Sequence, residues 1–419
     1  MQTIKAHRYI VLGVASYLSV LLLGPYKYKI YNMEALYYLG IVFLLFISST
    51  YIASFPINKG HGYEYEIRIS KKAEIALLSL ILFSLVSLAL YVRHLRALFV
   101  LSDYIFAGGD YRDVLSVERP LMNKIEEVLI NLGVVSYLII ARIRKVNFKY
   151  TKTFSLIGLI LPAISILAVG ARGRVITTIG LYIIVNNLNR NEEKKEKGKR
   201  KHTKKSLAGV LIASAIFLFL LIFTMQLFKY RGVIGAQEAY LKSSGDMEMK
   251  PFYENLLASS NYGMNELYKA LIYYTHSVPT FSWAFDKFGS MPVYHGALLF
   301  FLEGYILRLF GIDFPNYIQI SASSPAAGLY STFVTGYIMD WGRLGAILAI
   351  LVTGFAFGYV TRNQSRKGVS YFILPVILFM CWVAPVYYFL HMGWESVLLL
   401  FFLVYPIVKK LGLHTVRIS

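Results

Sequence analysis

Residues Ser165 to Val185 read SILAVGARGRVITTIGLYIIV. Two apolar runs flank Arg172 and Arg174, and the way they are divided decides the fold. As one membrane crossing, the stretch would hold two permanently charged guanidiniums near mid-depth, where ionisable side chains are costly and rare. As a hairpin, it ends one span and opens the next, with the arginines at the turn. The rest of the chain selects the hairpin.

The 419 residues are 57% hydrophobic and 16% charged, whereas an ordinary soluble domain carries about 25% charged residues. Mean hydropathy is +0.55. Ten apolar runs are long enough to cross about 30 Å of hydrocarbon at 1.5 Å per residue. They lie near 9–25, 35–55, 74–92, 123–141, 153–170, 173–189, 206–227, 342–360, 370–388 and 392–408. The first follows Lys5 and Arg8 without a small-residue cleavage site and reads as a retained span. The lone Cys381 sits in an apolar run and reads as packing.

A net charge of +20 would suit a nucleic-acid partner, but its distribution argues otherwise. With the N-terminus inside, and each span residue counted with its nearer end, the inner side holds 26 of the 43 Lys and Arg and 6 of the 23 acids. The outer side holds the remaining 17 basic and 17 acidic residues and is neutral. All the excess positive charge is therefore on one side, which is the positive-inside signature of membrane topology. The basic run Asn191 to Lys205 reads as a solvated inner loop that fixes orientation, with an anionic-lipid contact as its alternative.

Three parts follow. Residues 1–227 hold spans one to seven with the basic loop 190–205, residues 228–341 form a large external loop, and residues 342–419 hold three spans and an inner tail. The fold class is an all-α polytopic membrane protein of about ten spans, ten to twelve at the limits, with both termini cytoplasmic. Val293 to Gly311 is apolar but contains Glu303 and Arg308, so it reads as an interfacial or re-entrant helix. Pairing it with a further span near 317–339 is the alternative.

On this topology GARGR faces outward, where positive-inside pressure discourages arginine. From Arg174 to Arg190 is about 24 Å of helix, so Arg174 lies slightly below the outer surface. Snorkelling explains such a residue structurally. An anion site explains it functionally, because guanidinium forks bind phosphate oxygens bidentately and stay charged. Arg231, in FKYRGVIG just beyond span seven, sits at the same level and is also read as an interface anchor. His276 in YYTHSVPTF and Asp340 in YIMDWGRLG are the candidate proton handlers. The alternatives are a structural histidine and a helix cap or partner of Arg343. His295 is a weaker candidate, and His391 with Glu395 reads as helix-end bonding. No metal-ligand cluster, nucleotide loop or nucleophile motif appears, so no cofactor is expected.

The layout resembles the O-antigen polymerases, the oligosaccharide repeat-unit polymerases (Wzy type) of bacterial surface polysaccharide synthesis. The resemblance rests on GARGR between two mid-chain spans and on Lys229–Tyr230–Arg231 opening a large external loop. It also rests on SSPAAGLYSTFVTGYIMDWGRLGAI, where small residues precede Asp340, Trp341, Gly342 and Gly345. It implies a GT-C-like glycosyltransferase architecture in the bacterial cytoplasmic membrane, with the active site facing the periplasm. Its activity would join undecaprenyl-pyrophosphate-linked repeat units, with a lipid-linked donor and acceptor as partners. A chain-length regulator and a flippase of the same pathway would be further partners, and nucleic acid would not be one. Carried onto this chain, Arg172, Arg174 and Arg231 would hold the donor pyrophosphate and stabilise the leaving group. His276 or Asp340 would take the acceptor proton. The chemistry would be metal-independent, because arginines would supply the charge that Mg²⁺ often supplies at phosphate. An O-antigen ligase or similar lipid-linked-glycan transferase is the alternative, and a flippase or transporter is a third.

Overall fold

The computed structural model describes residues 5–55, 64–98, 121–167, 173–196, 247–258, 271, 275–296, 310–311, 332–364, 368–386 and 393–418. It is mostly helical. In chain order the elements are α1 (Ala6–Leu23), β1 (Tyr26–Tyr28), α2 (Met33–Ala53), β2 (Glu64–Ile69), α3 (Lys71–Leu98), α4 (Leu121–Ile130), α5 (Leu132–Arg142), α6 (Thr151–Leu167) and α7 (Gly173–Glu196). They continue with β3 (Met247–Met249), α8 (Pro251–Ala258), α9 (Ser277–Phe288), α10 (Phe333–Asn363), α11 (Val369–Val383), α12 (Gly393–Lys410) and β4 (Leu413–Ile418).

Among the described residues four helices are long and apolar enough to cross a membrane: α1, α2, α3 over Lys71–His94, and α10. Their outward faces are apolar. Along α10, Leu344, Leu348, Val352, Phe355 and Tyr359 follow one another every three or four residues and are all exposed. Water would make such a stripe unfavourable at about 25 cal/mol per Å², whereas hydrocarbon accepts it. The described part of the chain is thus mostly helical, and its long helices have the length and apolar surface of membrane spans. Span seven, at 206–227, lies outside the described residues, as do residues 297–309 of the Val293–Gly311 segment.

The chain divides into two compact units, Met1–Tyr63 with Ile234–Leu398, and Glu64–Val233 with Leu399–Ser419. In the first unit α10 packs on α2 through Gly354 and Gly358, the small-xxx-small spacing that lets membrane helices approach closely. A Cβ at Gly358 would fall 2.6 Å from the Ala53 Cβ. Residues Phe46, Phe333 and Phe357 close the same seam with ring centroids 5.1 and 5.9 Å apart. Strand β1 pairs antiparallel with β3, Lys27 opposite Glu248, and the Lys250 ammonium adds a bond to the Gly24 carbonyl at 2.8 Å.

The second unit is built around α3. Its Ser84 hydroxyl donates to the Ile130 carbonyl at 2.6 Å and accepts from the Gly133 N–H at 2.8 Å. Those two bonds satisfy backbone groups released where the helix breaks at Asn131, between α4 and α5. The sequence had suggested one uninterrupted span at 123–141. Gly133 and Gly158 then bring α5 and α6 together, each lying where a Cβ on the other would meet backbone at 2.6–2.7 Å. Near the N-terminal end of α3, buried Glu74 accepts from the backbone N–H groups of Asn147 and Phe148 at 2.6 and 3.0 Å, and from the Thr151 hydroxyl. Strand β2 pairs antiparallel with β4 in the same unit, Tyr65 opposite Arg417.

Candidate functional site

Helix α7 opens at Gly173, so GARGR ends where a helix begins. The first backbone N–H groups of a helix have no intrahelical acceptor and carry the positive end of its dipole. Arg174 therefore stands in a place that favours negative charge. Its guanidinium pairs through Nη2 with the Glu127 carboxylate of α4. The two side chains are 15% and 14% exposed, so the pair is largely withdrawn from solvent. The other terminal nitrogen, Nη1, is buried and has no hydrogen-bond partner among the described residues. One arm of the fork is thus fixed and the other is left to donate.

Glu127 did not emerge from the sequence. The available signal was the acidic pair Glu126–Glu127 inside the apolar run 123–141, since intramembrane carboxylates generally have a partner and a role. Glu126 meets His94 of α3 at 2.9 Å. Two neighbouring acids on one helix therefore reach cation-forming groups of two other helices, Glu126 reaching His94 of α3 and Glu127 reaching Arg174 of α7.

The other described candidates lie in the first unit. His276 is 1% exposed and occupies the N-cap position of α9. Its neighbours are clamped. The Tyr17 hydroxyl donates to the Thr275 carbonyl at 2.7 Å and accepts from the Val278 N–H at 3.1 Å, and Ser277 Oγ donates to the Pro385 carbonyl at 2.9 Å. The Tyr28 phenol lies 2.5 Å from the Thr275 hydroxyl. Burial pushes that phenol well above its ordinary range, against the opposing pull of the Thr275 bond, so Tyr28 keeps its proton.

Asp340 is fully buried, two residues before Gly342, where φ is +69° and α10 breaks. The sequence had suggested a helix starting at this point; the helix instead begins at Phe333 and changes direction at Gly342. A positive φ with ψ near 180° costs a residue with a Cβ about 1–3 kcal/mol, which explains glycine there. Beyond the break, Arg343 donates to the Phe285 carbonyl at 2.6 Å and lies 3.9 Å from the Phe285 ring centroid. The Phe333 N–H bonds to the Ala384 carbonyl, next to the Pro385 carbonyl that Ser277 reaches. His276 therefore stands beside the first turn of α10, and Asp340 lies about 10 Å further along that helix.

Arg172, Arg231 and His391 lie outside the described residues. His295 is described, at a positive φ of 49°, and Glu395 is buried in the first turn of α12. Among the described residues no group of three or more His, Cys, Asp or Glu is arranged to hold a metal ion. Comparison with family models, with curated proteins and with solved structures finds no match to this chain.

Proposed function

We propose that this chain is a multi-pass glycosyltransferase of the bacterial cytoplasmic membrane that polymerises undecaprenyl-pyrophosphate-linked oligosaccharide repeat units on the outer face, as the O-antigen polymerases do. The observation that carries the reading is Arg174. It is a permanent cation at a helix N-terminus, oriented by a carboxylate on one arm, with a buried donor left unpaired on the other. That arrangement suits an incoming pyrophosphate, which replaces lost water with directed N–H bonds.

The contacts within each unit support the sidedness. Strands β1 and β3 pair, and both belong to segments assigned outside. Strands β2 and β4 pair, and both belong to segments assigned inside. The bonds from Asn147 to Glu74 and from Arg142 to Glu192 join inner segments, while His94–Glu126 and Arg174–Glu127 join outer ones. Ten spans with both termini inside satisfy every one of these pairings.

In the proposed reaction a hydroxyl at the non-reducing end of the acceptor attacks the anomeric carbon of the donor chain. The bond from that carbon to the pyrophosphate oxygen breaks, and its electron pair leaves with undecaprenyl pyrophosphate. Arg172, Arg174 and Arg231 hold the leaving pyrophosphate and stabilise its developing charge. The acceptor proton passes to a base. His276 and Asp340 serve only if the first unit opens around them, because both are wholly buried.

A surface-glycan gel from cells lacking the chain tests the reading. Deletion should leave single-unit glycan in place of a ladder of repeat lengths, and complementation should restore the ladder. Polymer retained on its lipid carrier would instead identify a ligase, and an unchanged ladder would remove the polymerase reading.

A further inference from the structure

We propose that His94, held by Glu126, is the general base for this transfer; the proposal rests on the polymerase reading above. His94 follows the apolar run 74–92 by two residues, next to Arg93, so the sequence sets it near where α3 leaves hydrocarbon. A lipid-linked acceptor presents its sugar hydroxyls at that level. The imidazole is 43% exposed, whereas the Glu126 side chain is 4% exposed.

The geometry sets the tautomer. His94 Nδ1 lies 2.9 Å from Glu126 Oε1 and 3.0 Å from Oε2. A carboxylate at that distance accepts the Nδ1 proton, which leaves Nε2 as the basic nitrogen with its lone pair available. Among the described residues, the contact His94 makes with Glu126 is through Nδ1, not Nε2. A buried acid that orients a histidine and stabilises its imidazolium is the arrangement that makes histidine an effective base in acyl transfer. Here it would take a proton from a sugar hydroxyl.

Position relative to the leaving group follows from the sequence of α4. Glu126 and Glu127 are consecutive, with Cα atoms about 3.8 Å apart. One holds the base and the other holds Arg174, so helix α4 fixes proton removal and charge stabilisation to a common backbone. All four residues belong to one compact unit. Exposed Arg93 precedes His94 on α3, and the charges of the cluster among the described residues include Glu126, Glu127 and Arg174. In the transfer, the acceptor O–H gives its proton to Nε2 as its oxygen bonds to the anomeric carbon. The pyrophosphate departs with the old bond's electron pair toward Arg174. His94 then returns the proton to solvent.

The test is a series of complemented deletion cells, with polymer output read per molecule of chain in the membrane. His94→Gln keeps an amide able to bond Glu126 but has no basic nitrogen, and it should lose roughly 100-fold or more in output. His94→Gly should be equally poor and should recover a ladder when imidazole is added to the medium. For the positioning role, Glu126→Ala should be defective and Glu126→Asp should regain part of the activity. A full ladder from His94→Gln, or a His94→Gly chain present at normal level that imidazole leaves inactive, overturns the proposal. Those results leave the polymerase reading standing if deletion and Arg174→Ala still abolish the ladder. A normal ladder in the deletion cells would instead remove the reading itself.

Discussion

Arg174→Ala is expected to abolish the ladder of repeat lengths, and Arg174→Lys to restore it only in part. Removing one preorganised donor from a developing oxyanion typically costs about 100- to 1000-fold in rate, and here the donor is also a full charge. Lysine returns the charge as a point but cannot keep one arm on Glu127 and present the other to phosphate. Glu127 separates this account from snorkelling. If Arg174 were an interface anchor paired with Glu127, losing either side chain would act through the amount of chain in the membrane. On the clamp reading, Glu127→Gln leaves the guanidinium present but less firmly oriented, so activity falls by less than in Arg174→Ala. The comparison requires quantified membrane levels, and losses in both variants that only track those levels, or normal ladders from both, would return Arg174 to an anchor.

The second large effect concerns the fold. Gly358→Leu should eliminate stably folded chain, because even a Cβ at this position meets the Thr50 carbonyl and lies 2.6 Å from the Ala53 Cβ. Overpacking a well-packed seam costs about 1–3 kcal/mol, and a backbone obstacle gives less room to relax than a side chain does. Helix α10 would have to part from α2, which also disturbs the Phe46–Phe333 and Phe46–Phe357 contacts. Leu348→Ala on the outward stripe, at a side chain 65% exposed, should change little. The monodisperse fraction after detergent extraction measures both. A tolerant Gly358 together with a sensitive Leu348 would mean that the seam and the lipid face of α10 are exchanged.

The long apolar runs made part of this fold readable. Helices α1 and α2 begin and end within three residues of the runs at 9–25 and 35–55, and α3 begins three residues before the run at 74–92, because a long apolar segment between polar flanks has few other folded states. The breaks were not readable. The one at Asn131 depends on Ser84, which supplies both a donor and an acceptor from a distant part of the chain. The one at Gly342 depends on a backbone angle that an otherwise helical pattern conceals. At the site, Arg174 was legible because an uncompensated charge in an apolar stretch needs a cause. Its partner was not, since pairing with Glu127 is decided by how α4 and α7 meet. His94 was missed for the same reason: an isolated histidine at a helix end is ordinary until Glu126 is seen beside it.

The most direct measurement uses the purified chain in liposomes, supplied with labelled undecaprenyl-pyrophosphate-linked repeat units isolated from the deletion cells. The account predicts a ladder of lengthening glycan with one undecaprenyl pyrophosphate released per linkage formed, and no ladder from Arg174→Ala. Repeat units that remain single while the folded chain is present, or a ladder from Arg174→Ala equal to that of the unaltered chain, would contradict it.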